Sequence, residues 1–157
     1  MKNWKDTAEI LGIAAIVASL IFVGMEMRQS QKIAVAAQYH ERTSLAIEWL
    51  NSQYDGGDLT YWQNRCFPNL PSEMTVEFAG RTCIAVHSAM LLAENNMYQY
   101  QAGFLDEESW QARRGALKEL YRFPAGRTLI FDESSGYRES FVELGKILMD
   151  EVDKEIR

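Results

Sequence analysis

Ile10 to Met25 is a run of sixteen residues with no charge and no proline, and Ser19 is its only polar side chain. A helix rises about 1.5 Å per residue, so Trp4 to Met27 reaches most of the way across a bilayer. In lipid each backbone N–H and C=O must be satisfied within the segment, which a helix does most cheaply. Three readings compete: a membrane anchor, the core helix of a soluble protein, and a cleaved signal peptide. The run is shorter than the usual span of about 20 residues, which keeps the core-helix reading open. The anchor is favoured by Trp4 before the run and by Lys2, Lys5, Arg28 and Lys32 on its two flanks. Its apolar residues also cover every face, whereas a helix on a small domain's surface shows one stripe. Ala34-Val35-Ala36 has the form of a cleavage site, but Glu26, Arg28 and Lys32 separate it from the run. The amino terminus, Lys2 and Lys5 balance Arg28, Lys32 and Arg42, so flanking charge barely selects an orientation; a cytoplasmic C-terminal domain is the expectation adopted.

The remainder divides simply: an anchor over 1–28 and one helical bundle domain over 29–157. The first 28 residues carry three basic and three acidic side chains, so the whole formal charge of −6 falls on the domain. An acidic surface repels phosphate backbones, and Arg113-Arg114 and Lys118 to Arg122 are interleaved with Glu119; nucleic acid is excluded as a partner. Two cysteines, Cys66 and Cys83, are too few for a disulfide framework or a four-cysteine zinc site. In an extracytoplasmic domain they could pair, tying the Gly/Pro-containing loop to the following helix; otherwise they read as small apolar residues, the reading adopted.

No Gly or Pro occurs between Met25 and Tyr54, so the anchor helix is expected to run on to about Gln53. Ala8, Gly12, Ala15, Ser19, Phe22, Glu26, Gln29, Ile33, Ala36, His40, Thr43, Ile47 and Leu50 alternate spacings of four and three, a heptad seam. Its first members, Ala8, Gly12, Ala15 and Ser19, are small enough to let a neighbouring helix approach, a candidate helix-association face. Its outer half is expected to pack on later helices of the same chain. Tyr54 to Pro71 reads as an irregular segment, since Gly56-Gly57, Pro68 and Pro71 interrupt any helix. Ser72 then caps a helix to about Gln101, with Val76, Ala79, Cys83, Val86, Met90 and Met97 as its inner face. Asp106 starts the next helix, followed by Glu107 and Glu108, with Leu105 and Trp110 as a hydrophobic staple; Pro124 and Gly126 end it. Thr128 to Phe131 has strand composition without a partner strand. A last helix begins near Ser134 or Ser135 and buries Tyr137, Phe141, Leu144, Leu148 and Val152. The fold class expected is all-α: a transmembrane helix continuing into a compact bundle of about four helices.

Catalytic signatures are absent from the sequence. A di-iron bundle site needs Glu-x-x-His pairs, and none occurs; with only His40 and His87, zinc protease and deaminase motifs are missing too. There is no phosphate-binding glycine loop and no nucleophile elbow. No enzyme activity, metal or cofactor is therefore expected. The best polar group is His87, Glu94, Asn95 and Asn96, since His87 and Glu94 are seven residues apart and share a helix face. A carboxylate there would hold a cation or a ligand amine, or pair with Arg114 or Arg122; the pairing is the plainer reading. Glu26 reads as an interfacial carboxylate beside Arg28, and His40 as a packed or partly exposed histidine.

Leu20-Ile21-Phe22-Val23-Gly24-Met25-Glu26-Met27-Arg28-Gln29-Ser30 resembles the N-terminal signature of a large group of uncharacterised bacterial proteins, an apolar helix ending Glu-x-Arg-Gln-Asn/Ser before an Ala-rich helix. Glu94 to Trp110 is similar to that group's middle block, and Gly136 to Val142 to its C-terminal block. The chain departs from the pattern at Arg127 to Asp132, where the group carries a tryptophan-containing stretch. The resemblance implies a single-span helical protein of the bacterial inner membrane with no assigned activity. Together these features predict a non-enzymatic, membrane-anchored helical protein, in contact with membrane lipid, that self-associates or serves as an accessory subunit of a membrane complex. The alternative is a ligand-binding or sensory module on the face around His87 and Glu94.

Overall fold

The computed structural model describes residues 3–156, so Lys2, one of the expected flanking charges, lies outside it. The chain is all-α, with no strand among the described residues, and divides into two compact units, Met1–Gln38 and Tyr39–Arg157. Helix α1 (Asn3–Gly56) is unbroken, as the lack of Gly and Pro between Met25 and Tyr54 predicts. Between Ile10 and Met27 its large apolar side chains stand exposed, from Ile10 at 68% through Phe22 at 64% to Met27 at 59%. Ser19 Oγ donates to the Ala15 carbonyl, so the one polar side chain of the run is satisfied within the helix.

In the second unit the outer seam turns inward: Thr43 and Ile47 are half-buried and Leu50 is buried. The segment expected to be irregular contains a short helix, α2 (Leu59–Cys66), started by Asp58, whose carboxylate accepts from the N–H groups of Thr60 and Tyr61. Trp62 and Cys66, four apart on its inner face, are buried, as is Phe67 just past its end, whereas Tyr61 is exposed. Helix α3 (Val76–Gln101) begins later than expected, because Thr75 and not Ser72 caps it; Ser72 bonds the Glu73 carboxylate instead. Ala79, Cys83, Val86, Met90 and Met97 are buried as predicted, while Val76 is exposed at its first turn. Gly80 permits a close approach of α2 to α3: a Cβ there would lie 2.5 Å from the Leu59 carbonyl oxygen.

Cys66 and Cys83 form a disulfide with a Cα–Cα distance of 5.6 Å, which corrects their reading as independent apolar residues. Both sit wholly inside the core. The sequence spacing permits the pair but cannot demand it, because pairing depends on the redox compartment as much as on geometry.

Helix α4 (Glu107–Leu120) starts at Asp106 as predicted, with the Asp106 carboxylate accepting from Ser109 N–H, and Trp110 stacks on Tyr100 at 5.2 Å. The strand composition at Thr128 to Phe131 is overridden: Pro124 opens α5 (Pro124–Ile130), a use of proline at a first helical position where no N–H is needed. A 3-10 turn at Glu133–Ser135, closed by Gly136 at φ +67°, then leads into α6 (Glu139–Ile156). Phe141, Leu148 and Val152 are buried along α6, with Leu144 half-buried, and Tyr137 packs from the segment before it. Ion pairs run between α6 and its neighbours: Glu151 takes Arg114 and Lys118, Glu155 takes Lys118 and Arg122, and Asp153 takes Arg127. Arg114 and Arg122 are thereby committed elsewhere and do not serve Glu94.

Candidate functional site

The polar residues predicted on α3 separate into two environments. Glu94 faces the start of α6, where its Oε1 accepts from the backbone N–H of Arg138 at 2.8 Å and from Arg138 Nε at 3.3 Å. Arg138 Nη2 also donates to the Glu94 carbonyl. The partner is thus Arg138, in place of the expected Arg114 or Arg122. The Arg138 guanidinium lies 5.2 Å from the ring centres of both Tyr39 and Tyr98, which stack at 4.5 Å. One carboxylate thereby joins three segments: the Tyr39 turn of α1, α3 and the entry to α6. Burial and the nearby Glu94 carboxylate raise the Tyr39 phenol above its ordinary range. Asn95 Nδ2 lies 3.0 Å from His40 Nδ1, and Asn95 Oδ1 accepts from Gln99. Both residues are held by partners that a structural role explains fully.

His87 is different. It is 6% exposed, and neither ring nitrogen has a hydrogen-bond partner among the described residues. Its ring lies between Trp62, at 5.8 Å, and Tyr137, at 5.9 Å edge-on. Next to this aromatic stack, Arg65 Nε donates to Asp132, Arg65 Nη2 donates to Ser135 Oγ at 2.8 Å, and the guanidinium covers the Trp62 ring at 5.3 Å. Burial lowers the His87 pKa to about 4; Arg65 lowers it further and Asp132 opposes the shift. His87 is therefore a neutral imidazole at neutral pH, and among the described residues no side chain is hydrogen-bonded to it to relay a proton. Burial likewise raises the Tyr137 and Tyr121 phenols. Tyr137 also lines an open cavity of about 350 Å³ with Ile130, Phe131, Asp132, Glu133, Val142 and Lys146.

A pH dependence follows, and its sign is fixed by the direction of the shift. Between about pH 6.5 and about pH 4 the unfolded chain holds a proton on His87 that the folded chain does not. Stability therefore falls as pH falls through that window, and His87 alone is expected to remove about 2 kcal/mol by pH 5. Urea titrations of the wild-type chain and His87→Phe at pH 7 and pH 5 check this. An equal loss in both chains would show that other groups carry the acid sensitivity.

Ala8, Gly12, Ala15 and Ser19 share one face of α1 in the first unit, and all four are exposed. A Cβ placed on Gly12 meets nothing within 4 Å. Among the described residues no three His, Cys, Asp or Glu side chains converge as a metal site would require. Sequence reasoning expected Tyr137 to be buried but did not join Trp62 or Tyr137 to His87, and it missed Arg65 and Arg138; none shares a helix face with His87 or Glu94, so no spacing rule points to them. No protein-family model, curated protein or solved structure matches this chain.

Proposed function

We propose that this is a non-enzymatic, membrane-anchored helical protein that acts through helix contacts, with itself or as an accessory subunit of a membrane complex. The observation that carries the reading is the first unit of α1: none of its most apolar window is buried, and its large apolar side chains are exposed. An exposed apolar surface of this kind is rare on a soluble monomer and marks a membrane or partner interface. Lipid solvates Ile10 to Met27 in a single pass of a bacterial inner membrane, and the small-residue face at Ala8, Gly12, Ala15 and Ser19 receives another helix.

Membrane fractions washed with alkaline carbonate are expected to retain the full chain, and cross-linking in mild detergent to trap a self-associated or partnered species. Gly12→Leu is expected to weaken that association about tenfold while leaving the protein in the membrane, since it holds the facing backbone apart. A chain that stays dispersed in the aqueous fraction without detergent overturns the anchor; a strict monomer with no co-purifying partner overturns the assembly role.

The second reading, a ligand-binding or sensory module, is narrowed by the committed partners of Glu94 and Asn95. It rests on the unpartnered nitrogens of His87 behind Tyr137 and the adjoining cavity. A ligand that shifts the melting temperature of the wild-type chain but not of His87→Phe would favour it.

A further inference from the structure

We propose that the Tyr39–Arg157 unit folds in an oxidising compartment outside the cytoplasm, its Cys66–Cys83 bond installed by a thiol–disulfide exchange catalyst, so that α1 crosses the membrane with Lys5 on the cytoplasmic side. The crossing rests on the anchored reading above; the oxidation does not. The chain has two cysteines, and both are consumed in one bond that links the last residue of α2 to α3. Neither is more than 1% exposed, and Trp62 and Phe67 are buried in the same core. Cytoplasmic thiol pools keep such cysteines reduced, whereas extracytoplasmic spaces oxidise them. Flanking charge offers no opposition, because the amino terminus, Lys2 and Lys5 on one side balance Arg28, Lys32 and Arg42 on the other.

Burial also orders the events. A catalyst cannot reach either sulfur once α2 lies on α3, so exchange precedes docking. One cysteine thiolate attacks the catalyst's disulfide, giving a mixed disulfide and releasing one catalyst thiolate. The second cysteine thiolate then attacks the protein sulfur of that mixed disulfide, closing Cys66 to Cys83 and releasing the other catalyst thiolate. Two electrons and the two thiol protons leave the chain, and the catalyst departs as its dithiol.

The test uses the full chain in cells. Thiols are trapped by acid, and the chain is alkylated with a polyethylene-glycol maleimide before or after reduction. No shift before reduction and two adducts after it are expected, together with two adducts without reduction in cells lacking the exchange catalyst. Orientation is read in a Cys66→Ala/Cys83→Ala background with Ser52→Cys or Lys5→Cys and a membrane-impermeant maleimide: Ser52→Cys is expected to label in intact cells, Lys5→Cys only after lysis. Two free thiols in the wild-type chain, or the opposite labelling pattern, overturns the proposal whether or not the cysteine-free background folds. An oxidised chain in the aqueous fraction would remove the anchor and spare the oxidising compartment. A reduced chain in the membrane would do the reverse.

Discussion

Gly126→Ala is expected to cost the Tyr39–Arg157 unit about 3 kcal/mol or more, a large share of the 5–15 kcal/mol that holds a typical domain together. A Cβ at Gly126 would overlap the Leu120 carbonyl oxygen and lie 2.9 Å from the Leu120 carbonyl carbon. These are backbone atoms at the end of α4, and they cannot rotate aside as a side chain can. Relief requires α5 to move off α4, and Ala125, Leu129 and Ile130 of α5 are buried with Tyr121 and Leu117 in one cluster. The helical preference of alanine over glycine, about 1 kcal/mol, is too small to offset this. Gly115→Ala supplies the control, because Gly115 sits inside α4 with nothing within 4 Å of an added Cβ. It is expected to be neutral or stabilising by up to about 1 kcal/mol. Urea unfolding of both variants measures the contrast, and two indistinguishable midpoints would refute the α4–α5 contact.

Where hydrophobic spacing is long and regular, the fold was legible in the chain. The inner faces of α3 and α6 were readable because about seven and about five turns repeat the same period, and α4 because Asp106 is followed by two glutamates. Helix α2 was not readable. Its N-cap, Asp58, follows two glycines and looks like one more turn residue, and eight residues give a 3.6-residue period little room to show. Helix α5 failed for a different reason: Pro124 stops one helix and starts another with the same missing N–H, and Thr128, Ile130 and Phe131 favour a strand until packing overrules them. The candidate site was legible only in part. That Glu94 would find an arginine follows from burying a carboxylate, but which arginine does not, because Arg138 lies 44 residues on and outside any regular element. The disulfide is invisible to local rules altogether, since it depends on a tertiary contact and on the compartment.

Removing the disulfide with Cys66→Ala/Cys83→Ala is expected to cost about 3 kcal/mol, the chain-entropy value for a loop near this length. The bond closes a separation of 17 residues that runs from the end of α2 through the Pro68 to Pro71 connection into the first turns of α3. Two features account for the full loss. An eight-residue helix is too short to persist alone, so α2 depends on its attachment to α3. Its other attachments include the burial of Trp62, the close approach of Leu59 to Gly80 of α3 and the bonds from Arg65 to Asp132 and Ser135, all made by α2 residues ahead of Cys66. For a unit of this size the melting temperature is expected to fall by about 10 °C, with the earliest loss of amide protection between Leu59 and Phe67. The single variants separate linkage from packing. If the bond itself stabilises the fold, Cys66→Ala, Cys83→Ala and the double variant lose nearly the same amount, because each breaks the one cross-link. If the two sulfurs contribute as packed atoms, the single losses add up to the double loss, and reducing the wild-type chain leaves its midpoint unmoved; that result would remove the disulfide from the account of how α2 is held.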